Sequence, residues 1–302
     1  MTQTTTHSNF ITTGTRGLRH DILPMRLYHK AKRLGTWDPR NIDFTQDILD
    51  WQRCNEGEQE TLLLLTSLFQ AGEEGVSLDL LPLMVAISSE GHLEEEMFLT
   101  TFLWEETKHI EFFRRFLDEV AQDHSDLHRF HTPSYRKLFY EELPQSMHAL
   151  LTDRSLAAQA RASVTYNMIA EGVLAETGYH AYFNMLTRNN IMPGLRQGIE
   201  LIKRDESRHI AYGVFLISRL VAQDKTLWPL IENRMSELLP LAMGVVQETD
   251  EDPTSEEERS FGLKMDEYLD YTTSQFNKRI TRIARAREQT LEELYQISEV
   301  ED

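Results

Sequence analysis

Residues 104–109 read Trp-Glu-Glu-Thr-Lys-His and residues 204–209 read Arg-Asp-Glu-Ser-Arg-His, so a Glu-x-x-His pair occurs twice, 100 positions apart. Two residues three positions apart on a helix lie side by side. Around the first pair, apolar residues recur at helical spacing and predict a buried face: Leu99, Phe102, Leu103, Ile110, Phe113, Phe116 and Leu117. A charged residue on a buried face is unfavourable unless it is paired or bound to a cation. Both pairs are therefore candidate metal ligands: Glu106 with His109, and Glu206 with His209.

Each half of the chain also carries a lone glutamate on an apolar helical face. Glu73 precedes Glu106 by 33 residues, and Glu171 precedes Glu206 by 35 residues. Chance supplies an occasional Glu-x-x-His pair, so the repeated order is stronger evidence than the pairs themselves. One glutamate from each of two helices, with Glu-x-x-His from each of two others, is the ligand pattern of ferritin-like bundles that hold two metal ions. The alternative is two surface Glu/His pairs with scattered acidic residues.

Four carboxylates and two imidazoles favour iron or manganese. Zinc prefers fewer ligands, and calcium and magnesium prefer sites built of oxygen atoms alone. The single cysteine, Cys54, excludes an intrachain disulfide and a thiolate metal cluster, and it is typical of a protein of the reducing cytoplasm.

The pattern along the chain predicts an all-α fold. The 302 residues include 14 glycines and 9 prolines, with neither an Asn-Gly or Asp-Gly hairpin turn nor sustained alternation of β-branched residues. Long windows between the prolines are rich in helix-forming residues. The predicted helices span roughly 43–53, 57–87, 90–122, 133–150, 153–188, 193–222, 225–247 and 254–298.

We expect one domain over residues 1–302, because no linker separates two cores. Residues 1–36 are predicted to form an irregular N-terminal arm and residues 37–250 the metal-binding bundle. Residues 251–302 are predicted to form a C-terminal helix followed by an acidic tail that frays from Glu292 onward. His124, His128 and His131 lie in a polar segment that we interpret as a solvated loop rather than a second metal site.

The charge, the hydropathy and the N-terminal sequence disfavour several classes of protein. The formal net charge of −18 disfavours a nucleic-acid binder, which presents a basic surface to phosphate. No stretch approaches the ~18 apolar residues that a membrane span requires. The polar N-terminus lacks the pattern of an export signal. We therefore expect a cytoplasmic protein without a nucleic-acid partner.

Four motifs resemble the small subunit of ribonucleotide reductase and, more closely, its relatives, the ligand-binding oxidases with a manganese/iron site. They are Phe69-Gln-Ala-Gly-Glu73-Glu-Gly-Val76, Trp104-Glu-Glu106-Thr-Lys-His109, Tyr166-Asn-Met-Ile-Ala-Glu171 and Arg204-Asp-Glu206-Ser-Arg-His209. The resemblance covers roughly residues 22–250. The segment Trp37-Asp-Pro-Arg-Asn-Ile-Asp43 is similar to the N-terminal tryptophan segment of the same superfamily.

The resemblance implies a role for each ligand position. Glu73, Glu106 and His109 would bind the first metal, manganese, and Glu171, Glu206 and His209 the second, iron, with two irons as an alternative. Glu106 is the expected bridge between the ions. Asp205 corresponds to an aspartate that supports the first ligand histidine and connects it towards Trp37; the alternative for Asp205 is an ordinary solvated acid.

Two features, at three positions, separate the subfamilies. Phe113 stands where the tyrosyl-radical reductases have their radical tyrosine, although some manganese/iron reductases also carry phenylalanine there. Val76 and Tyr166 match the pair that becomes joined by an ether bond in the ligand-binding oxidases. Breaking the tertiary C–H bond of valine requires a metal site that activates O₂. The alternative for this pair is core packing with a hydrogen-bonded phenol.

The resemblance implies an oxygen-activating oxidase that attacks unactivated C–H bonds, binds a long-chain fatty acid at the metals and forms a homodimer. Two alternatives remain open. One is a reductase small subunit that passes an oxidising equivalent to a partner protein, and the other is a metal-storage or metal-sensing bundle without turnover. Glu74, Glu105 and Glu111 adjoin the ligands in sequence, and we expect them to point away on other helix faces.

Overall fold

The computed structural model describes residues 9–250, 260–262 and 265–296, and all regular secondary structure within these ranges is helical. This confirms the predicted all-α class. The α-helices are α1 (Leu23–Leu34), α2 (Thr45–Trp51), α3 (Glu56–Ser89), α4 (Leu93–Arg115), α5 (Pro133–Arg136), α6 (Leu143–His148), α7 (Leu156–Ser163), α8 (Glu176–Arg188), α9 (Pro193–Gln223), α10 (Trp228–Gln247), α11 (Met265–Ala284) and α12 (Leu291–Gln296). Within the described ranges, none of them has the length and apolar character needed to cross a bilayer.

Several predicted helices are interrupted by turns of other helical types. Stretches of π-helix span Phe116–Ala121, Lys137–Glu142 and Val164–Ala175. Short 3-10 turns span Ile11–Thr13, Pro39–Asn41, Leu127–Phe130, Ala149–Leu151, Lys225–Leu227, Glu248–Asp250, Ser260–Gly262 and Arg285–Glu288. The predicted helix over 153–188 is thus divided into α7, the central π segment (Val164–Ala175) and α8.

Side-chain caps fix the starts of two long helices that carry candidate ligands. Asn55 accepts a hydrogen bond from the backbone N–H of Glu58, whose carboxylate accepts the N–H of Asn55, and this capping box begins α3. At the start of α9, the buried carboxylate of Asp47 accepts the N–H groups of Gly194 and Leu195 at 2.9 and 2.7 Å. A carboxylate suits the positive end of a helix dipole, so Asp47 ties α2 to the first turn of α9.

The expected irregular arm over residues 1–36 contains a helix, which corrects that prediction. Helix α1 begins with Pro24 in its first turn, where proline is favoured, and ends with two basic residues that suit a helix C-terminus. Its buried side chains Leu23, Leu27 and Ala31 recur every fourth residue. Helix α1 packs on α4 and α9, so burial of this apolar stripe favours a helix despite the basic residues between.

The C-terminal region also differs from the single helix predicted over 254–298. Helix α11 ends at Ala284, and α12 begins after Thr290, whose backbone N–H and hydroxyl donate to the carboxylate of Glu293. This cap starts a new helix, so regular structure continues past Glu292 to Gln296 instead of fraying from Glu292. Residues 297–302, the rest of the expected tail, lie outside the described residues.

Four elements form the frame of the bundle around the candidate ligands. Helix α3 packs against α4, and the central π segment packs against α9. Gly213 permits the second contact, because a Cβ atom at this position would overlap the side chain of Asn167. The missing side chain therefore brings the π segment and its glutamate close to α9.

The polar histidine segment departs from the expected solvated loop at one residue. His131 is buried, and its ring nitrogens contact the hydroxyls of Ser67 at 3.1 Å and Tyr140 at 2.7 Å. Burial lowers the pKa of His131 to about 4, so this imidazole is neutral at physiological pH. His131 is thus a structural residue that joins the segment to α3, while His128 stays exposed beside Asp126.

Candidate metal centre

The frame brings the six predicted ligands to one point in the core. Two groups of side chains have candidate ligand atoms that all lie within 4.8 Å of one another. The first group is Glu73, Glu106, His109 and Glu206, and the second is Glu106, Glu171, Glu206 and His209. All six side chains are buried. The groups share Glu106, the predicted bridge, and also Glu206, which was not predicted to lie between the sites.

Both candidate ligand histidines present their Nδ1 atoms to the carboxylates. His109 Nδ1 lies 3.2 Å from Glu73 Oε2 and 3.4 Å from Glu206 Oε1. His209 Nδ1 lies 2.8 Å from Glu106 Oε1, but the atoms are not aligned as a hydrogen bond. The Nε2 atoms contact other carboxylates, described below, which leaves Nδ1 of each ring for a metal ion.

Several candidate metal-ligating atoms at this point lack a hydrogen-bond partner. They are both carboxylate oxygens of Glu106, Oε1 of Glu171 and Nδ1 of His209. Buried polar atoms without partners are rare and unfavourable in folded proteins. Here they surround a common point, as ligands of a cation would. The donor set of carboxylate oxygens and imidazole nitrogens therefore fits a pair of manganese or iron ions.

The electrostatics of the cluster also favour cations. Burial, together with the charge of Glu206, raises the pKa of Glu106 to about 7. Burial, together with Glu206, raises the pKa of Glu171 well above its usual range. Burial opposes a charge on His209, but Glu206 and Glu106 outweigh it and raise the pKa of this imidazole well above normal. Four carboxylates thus share too little positive charge, which divalent cations would supply.

Asp205 and Trp37 lie beside the first histidine. Asp205 Oδ2 is 3.4 Å from His109 Nε2, and it accepts hydrogen bonds from Trp37 Nε1 at 2.7 Å and from Lys108 Nζ at 3.0 Å. Asp205 is fully buried, which excludes the alternative of an ordinary solvated acid. A carboxylate on the outer nitrogen of a histidine fixes the ring so that the other nitrogen faces the metal.

Val76 and Tyr166 are in contact. The Tyr166 hydroxyl donates a hydrogen bond to the backbone carbonyl of Val76 at 3.1 Å, and both residues are buried. Tyr166 precedes Glu171 by five residues, and in an α-helix these side chains would point about 140° apart. In a π-helix, residue i pairs with residue i+5, so the central π segment turns Tyr166 towards the same side as Glu171.

Comparison with known proteins identifies the family. The family model for the ribonucleotide reductase small chain matches residues 25–286 of this chain. The chain belongs to this family. Among solved structures, it is similar to variants of an R2-like ligand-binding oxidase. A tyrosine-to-phenylalanine variant with an anaerobically reconstituted Mn/Fe cofactor is 38% identical, with a TM-score of 0.86, covering 93% of this chain and 100% of that one. A valine-to-leucine variant with the same cofactor has a TM-score of 0.87 at the same identity and coverage.

Another tyrosine-to-phenylalanine variant of this oxidase, with an aerobically reconstituted Mn/Fe cofactor, is 37% identical over the same shares of both chains, with a TM-score of 0.88. The resemblance inferred from the sequence motifs is thereby confirmed. A buried cluster of carboxylates and imidazoles compatible with two metal ions is consistent with this family.

Phe113, which the motif resemblance predicts to stand at the position of the radical tyrosine of the reductases, is fully buried. Its ring stacks on Phe69, with centroids 5.4 Å apart, and Phe69 stacks in turn on Tyr179. The side chain at position 113 has no hydroxyl, so this member of the family cannot store a tyrosyl radical there.

The sequence analysis missed the support of the second histidine. Glu105 was expected to point away from the ligands, but it is fully buried, and its Oε2 lies 2.9 Å from His209 Nε2. Nη2 of Arg208 donates to both Glu105 and Asp205, at 2.5 Å each. The signal was present in the internal repeat, because Glu105 and Asp205 stand 100 positions apart, like the ligands. The acid preceding the ligand glutamate in each half therefore contacts the histidine of the other half.

Two further contacts were not predicted. The Tyr179 hydroxyl donates to Glu73, and Asn167 Nδ2 donates to Glu171 Oε2 at 3.2 Å. Both donors are fully buried and orient the lone glutamate of one half. Neither could be distinguished by its position from an ordinary core residue. Glu74 and Glu111, in contrast, are exposed as expected.

A cavity of about 490 Å³ opens on the carboxylates. Glu73, Glu106, Glu171 and Glu206 line one end. Its walls are largely apolar and include Leu64, Leu68, Phe69, Val76, Leu174 and Val245. This volume is within the range of small-molecule sites, and the combination of apolar walls with one polar end suits an amphipathic ligand.

Proposed function

We propose that this chain is an oxidase that uses O₂ at a manganese/iron pair to attack unactivated C–H bonds. The observation that carries the proposal is the pair of ligand groups that share Glu106 and Glu206. Within these groups, buried oxygen and nitrogen atoms that could bind a metal ion lack hydrogen-bond partners. The similar R2-like ligand-binding oxidases, which contain Mn/Fe cofactors, support the choice of metals.

The proposed ligands are Glu73, Glu106 and His109 for manganese, and Glu171, Glu206 and His209 for iron. When bound, the two ions supply the reducing equivalents for O₂ and the positive charge that keeps the carboxylates ionised. Glu106 would bridge the ions, and Glu206 is a second candidate bridge because it belongs to both groups. Asp205 and Glu105 hold the two imidazoles with Nδ1 directed inward.

Anomalous diffraction at the manganese and iron edges, on protein loaded aerobically with both metals, tests the assignment. We expect one ion of each element per chain. His109→Ala should empty or weaken the first site, and His209→Ala the second. Wild-type occupancy of both sites in both variants would contradict the ligand assignment, and iron in both wild-type positions would indicate a di-iron centre.

We further propose that the cavity binds a long-chain fatty acid whose carboxylate completes the metal coordination. The apolar walls and the polar end beside Glu73 support this ligand. Mass spectrometry of an organic extract should show about one fatty acid per chain. Leu174→Arg, in the cavity wall, should abolish binding, whereas Leu151→Arg, at a 52% exposed position, should not. A wild-type extract without fatty acid would contradict this part of the proposal and leave the metal assignment intact.

The proposed oxidation also joins Val76 to Tyr166. The contact between the Tyr166 hydroxyl and Val76 supports it, because the phenol oxygen already lies beside the residue it would join. The Cβ hydrogen of Val76 and the hydroxyl hydrogen of Tyr166 leave as two protons and two electrons, O₂ accepts the electrons, and a C–O bond forms. Aerobically loaded protein should be lighter by two hydrogen atoms, and the two peptides should stay joined after denaturation. Tyr166→Phe should prevent this, while Tyr140→Phe, at an exposed tyrosine, should not.

One observation favours the alternative of a reductase small subunit. The contacts from Trp37 through Asp205 to His109 lead from the metal centre towards the protein surface. Turnover of ribonucleotides after addition of a reductase large subunit would support this alternative. Separate Val76 and Tyr166 peptides after aerobic loading would support it as well.

A homodimer is proposed from an apolar stripe on α3. Leu78, Leu81 and Val85 lie on one helical face and are 44–62% exposed. Large apolar side chains grouped on a surface are typical of interaction sites. Light scattering should give twice the mass of one chain, and Leu81→Arg should shift the protein towards the monomer. A monomeric wild-type protein would contradict the proposal.

A further inference from the structure

Lys108 lies between two tryptophan rings near the metal centre. Its ammonium nitrogen is 4.4 Å from the ring centroid of Trp37 and 4.6 Å from that of Trp104. The same nitrogen donates to the carbonyl of Gly35 at 2.5 Å and to Asp205 at 3.0 Å. Lys108 is 5% exposed, whereas Trp104 is 44% exposed. A buried cation thus separates the partly exposed indole of Trp37 from the more exposed indole of Trp104.

These rings connect the metal centre with the surface. Trp37 stacks on His109, with ring centroids 6.2 Å apart and planes inclined by 15°. Trp37 also donates its indole N–H to Asp205, which contacts His109. An oxidised centre could therefore take an electron from Trp37, and Trp37 could take one from Trp104. That transfer would divert the oxidising equivalent from the ligand in the cavity to the protein surface.

We infer that Lys108 keeps Trp37 and Trp104 reduced and so confines the oxidising equivalent to the metal centre and its cavity. An indole that loses an electron becomes a radical cation, and a buried ammonium less than 5 Å from the ring centre repels the new charge. The inference rests on the proposed oxidase function in assuming a centre that O₂ oxidises.

In the reaction that Lys108 suppresses, the indole gives one electron to the centre oxidised by O₂, and the centre is reduced by one electron. The indole N–H proton passes to Asp205 or to water. The neutral indole radical then adds O₂ to form a peroxyl radical, and a thiol supplied in the buffer gives this radical one hydrogen atom and becomes a thiyl radical. The resulting hydroperoxide is recovered as tryptophan products heavier by two oxygen atoms.

The first test compares full-length wild type, Lys108→Met and Lys108→Arg after aerobic loading with manganese and iron. Methionine keeps the length of the side chain without its charge, and arginine restores the charge. Peptide mapping should show about tenfold or more additional oxidation of Trp37 and Trp104 in Lys108→Met, and wild-type levels in Lys108→Arg. Adding Trp37→Phe to Lys108→Met should protect Trp104, because the ring between Trp104 and the centre is lost.

A second test needs no metal and separates this inference from the proposed function. Azidyl radicals, made by pulse radiolysis, take one electron from indole and become azide. In metal-free full-length protein, Trp37 and Trp104 should be oxidised faster in Lys108→Met than in wild type, relative to Trp51 as an internal reference. If Lys108→Met does not fold, Lys108→Gln keeps a donor for the Gly35 carbonyl and replaces it. Equal oxidation in the charged and uncharged variants would overturn the inference. A wild-type centre that O₂ does not oxidise, combined with the expected radiolysis result, would overturn only the proposed function.

Discussion

Replacing Glu105 by glutamine removes a negative charge 2.9 Å from the outer nitrogen of His209. A hydrogen bond to a charged group is worth about 1.5–3 kcal/mol, and the amide oxygen of glutamine would retain part of it. The amide also offers poorer partners to Arg208, which contacts Glu105 at 2.5 Å. We therefore expect the second metal site to bind its ion about 10–100-fold more weakly, which corresponds to about 1.4–2.7 kcal/mol.

The assay is a competitive titration with a metal chelator, combined with anomalous diffraction to assign each ion to its site. Glu105→Gln should weaken the site of His209 more than the site of His109, and Asp205→Asn should do the reverse. Glu111→Gln is the matched control, because Glu111 lies on the same helix but is exposed. Equal affinity for both ions in Glu105→Gln and wild type would refute the role assigned to Glu105.

Variants at three further positions test structural conclusions by denaturant unfolding of the metal-free protein. The pKa of His131 is about 4 in the folded protein, below the ordinary value of 6.5, so its contribution to stability is complete above pH 6.5 and is lost as the pH falls towards 4. Wild type should lose about 2 kcal/mol more than His131→Gln over that interval, and parallel pH profiles would contradict this. Asp47→Ala should lower the free energy of unfolding by about 2–4 kcal/mol, because it leaves the N–H groups of Gly194 and Leu195 without an acceptor. Asp47→Asn should lower it less. An unchanged unfolding midpoint for Asp47→Ala would contradict the role of Asp47 as a cap. Gly213→Ala should cost about 1–3 kcal/mol because its Cβ overlaps Asn167, and a neutral effect would show that the central π segment is free to shift.

The helical class and the two-metal ligand pattern could be predicted because both follow from the regular spacing of residues in the sequence. Glu106 and His109 interrupt an apolar stripe whose spacing defines a helix, and the same arrangement recurs 100 positions later. Helix α1 was missed because basic residues hide its short stripe, which becomes clear only when α4 and α9 cover it. The role of Glu105 was missed because a helical face that is polar in isolation was assumed to meet solvent.

The central π segment could not be predicted from local sequence. Its residues are compatible with an ordinary α-helix, and the wider turn arises where the segment packs against α9 and α10. That turn determines where Tyr166 points relative to Glu171, so the most specific part of the proposed chemistry depends on tertiary packing. Sequence spacing alone would direct the two side chains to different faces.

The crossed contacts Glu105–His209 and Asp205–His109 make the two halves of the chain interdependent. They join residues 104 and 96 positions apart, so neither half can orient its own imidazole. A fragment with a single Glu-x-x-His helix would have the ligands of a metal site without the carboxylate that aims its histidine. Such a fragment could recover that carboxylate only by pairing with a second copy of itself or with the missing half. Tight metal binding therefore requires both halves of the chain to be folded and in contact. The time at which the ions bind during folding should show when the two halves pack together.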